Sequence, residues 1–130
     1  MKIKIRRRVL FVAATILIGV LSGTGQAVEL STPPIGPLQG LADNIYACQI
    51  ANMSDVNQTV RIQFFNVNGV LLSDTGDVPL SPLDVVGDTA GASEFPAYCK
   101  FIATGKKKDY SATLQVYKFD VGPLVAIRAE

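Results

Sequence analysis

The sequence predicts an all-β protein, an antiparallel sandwich of about seven short strands closed by one disulfide. Three observations predict it. Apolar residues fall at every second position in four separate runs, and no ten-residue window after position 28 carries them at helical spacing. The only two cysteines, Cys48 and Cys99, each lie on the apolar parity of such a run.

The first element is not part of the sandwich. Lys2, Lys4 and Arg6 to Arg8 precede an apolar stretch from Val9 to Leu21, and small or polar residues follow as far as Gly25-Gln26-Ala27. This is the three-part pattern of a secretory signal peptide, residues 1–27, with cleavage between Ala27 and Val28. A membrane-spanning helix needs about 20 apolar residues, so this stretch reads as a cleaved signal and no span remains afterwards. Export places the protein in the periplasm or outside the cell. There thiols are oxidised, so Cys48 and Cys99 are expected to pair. A redox pair would show the close C-x-x-C spacing that is absent here.

Residues 28–43 contain Pro33, Pro34, Pro37, Gly36 and Gly40 and read as an extended lead-in or edge strand. The sandwich domain is assigned to 44–130. In residues 45–52 the disulfide parity puts Tyr46, Cys48 and Ile50 inward. Residues 59–67 alternate Val60, Ile62 and Phe64 against Arg61, Gln63 and Phe65, and Asn68-Gly69 predicts a type I′ hairpin turn into a strand over 70–73. Residues 74–94 are mostly turn material, with short strands around 78–80 and 83–86. In 97–103, Ala97, Cys99, Phe101 and Ala103 share the inward parity, as do Ala112, Leu114 and Val116 in 110–119. A last strand covers 124–128.

Ala47-Cys48-Gln49-Ile50-Ala51-Asn52-Met53-Ser54, Thr59-Val60-Arg61-Ile62 with its Asn68-Gly69 turn, and Tyr98-Cys99-Lys100-Phe101 resemble small exported bacterial proteins with immunoglobulin- or fibronectin-like sandwiches. The resemblance covers residues 44 to 130. It implies an immunoglobulin-like fold and supplies no catalytic residues, because those proteins carry no assigned biochemical role. The chain departs from true immunoglobulin domains in having no tryptophan and in placing Ala97 where a tyrosine corner would put tyrosine.

The chemistry of the side chains narrows the function classes. Histidine is absent, which removes Ser-His-Asp and Cys-His catalysis and the commonest transition-metal ligand. Asp74, Asp77, Asp84 and Asp88 do not have the spacing of an EF-hand loop, and aspartate is ordinary turn material, so neither a metal nor a cofactor is expected. Asp88 and Glu94 lack any spacing that supports a glycosidase pair. Lys106 to Lys108 read as a solvated hairpin tip. After position 27, seven basic and eleven acidic residues leave a net charge of −4, which argues against nucleic acid as a partner.

The outward parity carries the functional signal. In an immunoglobulin-like sheet the strands of Phe65, Tyr98 and Tyr117 would be neighbours, and Val67, Ile102 and Phe119 would extend one apolar face. These six residues form the candidate binding face of a non-catalytic domain that recognises a protein or a cell-envelope component. The alternatives are a structural subunit assembling by edge-strand pairing and a carboxylate- or metal-dependent enzyme. Neither the ligand nor the oligomeric state is set by these residues. The secreted protein is expected to begin at Val28, and an intact mass that still includes residues 1–27 would overturn the signal-peptide assignment.

Overall fold

The computed structural model describes residues 26–35, 44–90, 97–118 and 121–130. Nine strands occur among them: β1 (Val28–Ser31), β2 (Asn44–Asn52), β3 (Gln58–Asn66), β4 (Leu71–Asp74), β5 (Val78–Leu80), β6 (Val85–Ala90), β7 (Ala97–Ala103), β8 (Tyr110–Lys118) and β9 (Gly122–Arg128). A single 3-10 turn at Lys107–Asp109 is the one helical piece of the described residues.

The strands form two sheets in which every pairing is antiparallel. One has the order β1-β7-β3-β4, with β5 also pairing β3, and the other has the order β6-β2-β8-β9. Their inner faces build one core. Val60, Ile62, Phe64, Ala97, Cys99 and Phe101 come from the first sheet, and Tyr46, Cys48, Ile50, Ala112, Leu114 and Val116 from the second, all buried. Inward and outward residues alternate along β3, β7 and β8 as period two requires. Cys48 and Cys99 are bonded across the two sheets, with 5.9 Å between their Cα atoms. Tyr46 and Phe64 meet across the same gap, their ring centroids 6.2 Å apart.

Two sequence expectations change. The lead-in takes its edge-strand alternative and belongs to the sheet, because β1 pairs with β7 from Val28↔Ala103 to Ser31↔Lys100 and buries Leu30. The sandwich therefore starts at Val28 and not at residue 44, which raises the strand number above seven. The β3–β4 connection also differs from a type I′ turn. Gly69 alone has positive φ there, and its amide donates to the Asn66 carbonyl at 3.0 Å. Asn66 Oδ1 accepts from the amides of Asn68 and Val70, which holds a type I turn followed by a left-handed glycine.

A buried asparagine organises one end of the sandwich. Asn52 Nδ2 donates to the carbonyls of Val56, Leu80 and Ser81 at 2.8, 3.1 and 3.2 Å, while its Oδ1 accepts from the amide and hydroxyl of Ser54. Every polar atom of that side chain is satisfied, so the loops after β2 and β5 are tied to one point. Asn52-Met53-Ser54 matches the Asn-x-Ser/Thr pattern of a glycosylation acceptor, but its asparagine side chain is fully buried in the turn. Beside it, Leu83 has φ +64° and is 74% exposed, in a turn closed by Asp84 N donating to Ser81 O.

Bridging residues 51 apart removes roughly 4 kcal/mol of unfolded-chain freedom in the loop-entropy description. Cys48→Ala with Cys99→Ala is expected to lower the unfolding free energy by a few kcal/mol. The oxidised native protein should show no titratable thiol, and finding one would contradict the pairing.

Candidate functional site

The outer face of the first sheet is built by β7, β3 and β4, and antiparallel register sets its rows. Phe65 lies opposite Tyr98 on one side and Leu71 on the other, Gln63 opposite Lys100 and Asp74, and Arg61 opposite Ile102. The Phe65 and Tyr98 rings stack at 5.3 Å between centroids with an angle of 13° between their planes. Such offset aromatic pairs add about 0.5–1.5 kcal/mol beyond area burial. Leu71 extends the row at 47% exposure, and Val67 and Val70 stand beside it on the turn at 47% and 54%.

The other half of the face is polar and internally paired. Arg61 donates from Nε and Nη2 to the two oxygens of Asp74 at 2.8 and 2.6 Å. Gln63 Nε2 and the Gly76 amide donate to the same carboxylate at 3.0 and 2.9 Å. These bonds, led by that from Arg61, hold the Asp74 carboxyl well below the usual carboxylate range. Lys100 pairs with Glu29 of β1 at 3.0 Å.

The six candidate residues are thus divided. Phe65 and Tyr98 come together at the apolar end, and Val67 follows exposed on the adjoining turn. Ile102 shares their face but lies two rows away, between Arg61 and Glu29. Tyr117 belongs to the other sheet, because β8 pairs with β2 and not with β7, so the expected single face of three neighbouring strands does not form. Its hydroxyl donates to Gln115 Oε1, and its ring lines a shallow hollow of about 390 Å³ with Ile45, Ala47 and Thr89. Phe119 lies outside the described residues. The described lead-in runs alongside β7, through β1 and the Ile35↔Ala97 bridge, rather than over the aromatic pair.

Leu71 and Val70 are not among the six expected residues, although the sequence carries a signal for them. Val70-Leu71-Leu72 is an unbroken apolar run, and a strand buried on one side cannot turn three consecutive residues inward. The remaining carboxylates are dispersed. Asp74 is occupied by Arg61, and Asp88, opposite Cys48 on β6, accepts from the Thr89 amide. Among the described residues no three acidic or thiol side chains gather into a possible metal site. Glu94 lies outside them.

No family model matches the chain, and no curated protein does. Among solved structures, "Crystal Structure of Thermotoga maritima 1070" is similar, with a TM-score of 0.48 and 14% identity over 78% of this chain and 91% of that one. None of these comparisons attaches an activity to these residues.

Because the Asp74 carboxyl is depressed in the folded state, its contribution to stability is complete above the unfolded value near 4 and is lost as pH falls towards the folded value. Asp74→Asn should therefore lower the melting temperature at neutral pH, and its gap from the unsubstituted protein should narrow steadily below about pH 4. Thermal unfolding across that range checks this, and a gap independent of pH would contradict an ionic role for the pair.

Proposed function

We propose that this chain is an exported, non-catalytic, immunoglobulin-like sandwich domain of the periplasm or extracellular space, and that it binds a protein or envelope component. The observation that carries this reading is the apolar end of the first sheet, where Tyr98, Phe65 and Leu71 form one row and Val67 and Val70 continue it. Exposed apolar side chains beside a half-buried aromatic stack are the usual composition of an interface anchor. The Arg61–Asp74 and Lys100–Glu29 pairs give it a polar border.

Export is supported by the basic-apolar-small order of residues 1–27 and by the intersheet disulfide. Among the described residues no helix is long and apolar enough to cross a membrane. A non-catalytic role is supported by the lack of histidine and by the pairing of Asp74 with Arg61. A second reading has its own observation: β4 is a four-residue edge strand with Leu71 and Leu72 exposed, a place where another copy could add a strand.

A photo-reactive residue at position 98 should give a defined cross-linked adduct in intact cells, lost when Leu71→Ser is added. The same group at position 113, on the other sheet, should give none. An adduct consisting of two copies of this chain would favour strand assembly, whereas equal adducts from both positions, or none from either, would remove the proposed face. Tyr98→Ser should cost far less stability than the buried Ile62→Ala, for which about 2–5 kcal/mol is typical.

A further inference from the structure

The two sheets meet edge to edge where β1 approaches the end of β9. Ser31 and Glu130 exchange backbone hydrogen bonds at 3.2 Å in both directions, and the Ala129 amide donates to the Ala112 carbonyl at 2.9 Å. Next to this seam lies a cleft of about 370 Å³, within the range of small-ligand sites. Its floor is apolar and comes from both sheets: Leu30, Tyr110 and Ala129, each buried in the domain. The Tyr110 hydroxyl donates to the Thr104 carbonyl, so its polar atom is already partnered.

The rim is cationic. Lys107, Lys108 and Arg128 line it, three of the seven basic residues that follow position 27 in a segment whose net charge is −4. Neither ion pair among the described residues, Arg61–Asp74 and Lys100–Glu29, involves them. The acidic residue nearest in sequence to the lysines is engaged in building their turn. Asp109 Oδ2 accepts from the Lys106 amide at 3.0 Å, and its backbone carbonyl accepts from the Met53 amide at 2.7 Å. Glu130 is the one carboxylate side chain among the lining residues.

We infer that this seam cleft binds a small anionic amphiphile, a carboxylate or phosphate carried on a short alkyl or acyl group. The floor takes the apolar part, Arg128 supplies a planar fork for the anionic oxygens, and the two lysines supply point charges. Neither a neutral alkyl compound nor a bare anion satisfies both halves of the site. Glu130 competes with the ligand for the same cations. The site lies apart from the Phe65–Tyr98 row, so it stands or falls independently of the interface proposed there.

Calorimetric titration of the purified, disulfide-bonded protein with monomeric octyl phosphate should show saturable binding at one site. Octanol and inorganic phosphate should each bind about tenfold more weakly or worse, since each lacks one half of the recognised chemistry. Joint Lys107→Gln, Lys108→Gln and Arg128→Gln substitution should weaken octyl phosphate by about tenfold, and added salt should weaken it progressively. Glu130→Gln should tighten it. The inference is overturned if octyl phosphate does not saturate, if the triple variant binds it equally well, or if octanol or phosphate alone matches it. Adsorption to anionic phospholipid vesicles without any response to monomeric octyl phosphate would also overturn it, in favour of a flat electrostatic contact.

Discussion

The disulfide between Cys48 and Cys99 joins the centre of one sheet to the centre of the other, and the facing of each strand follows from it. Cys48 lies on β2, between β6 and β8, and Cys99 on β7, next to β3. Once those two side chains must point at each other, parity commits Tyr46 and Ile50 to the core from one side and Ala97 and Phe101 from the other. The partner strands inherit the same commitment through register. Phe64 opposes Cys99 and Leu114 opposes Cys48, and both are buried. Tyr98, one residue from the bridge, is turned outward for the same reason.

This constraint explains what was legible in the sequence. The alternating runs from 45, 59, 97 and 110 onward became β2, β3, β7 and β8 with their inward residues as read, because period two is a property of the strand itself. Which strand lies beside which is decided elsewhere. One face shared by Phe65, Tyr98 and Tyr117 requires an open strand edge beside β3 or β7 for β8. In the structure β7 is flanked by β3 and by β1, a strand of only four residues in which Leu30 is buried and Glu29 reaches Lys100. With both edges of β7 taken, the chain crosses through Thr104–Asp109 to the other sheet, and β8 pairs with β2. Four residues, one threonine and then two prolines allow an edge strand but carry too weak a periodic signal to name its partner.

Turn geometry was only partly legible, for a related reason. Asn68-Gly69 marks a turn by composition, but its type depends on how Asn66 uses its side chain. By accepting the amides of Asn68 and Val70, Asn66 Oδ1 favours three loop residues over two. The register of β4 then shifts between Phe64 and Phe65, a local irregularity that alternation does not encode. Asn52 is a similar case, since a lone asparagine at the end of an apolar run gives no sign that it gathers carbonyls from two loops.

The polar and apolar halves of the outer face are therefore parts of one arrangement. β4 is too short to be held firmly by its ladder to β3, and beyond the bulge it meets β3 through the single register pair Phe65↔Leu71. The bidentate Arg61–Asp74 pair, reinforced by Gln63 and the Gly76 amide, fixes the far end of that strand. The turn at Asn66 fixes the near end. Between these two anchors Leu71 stands opposite Phe65, in the row of the Phe65–Tyr98 stack. The ordered shape of the apolar row thus depends on charges that never touch it, and a substitution in the Arg61–Asp74 pair would loosen the row without altering any residue on its surface.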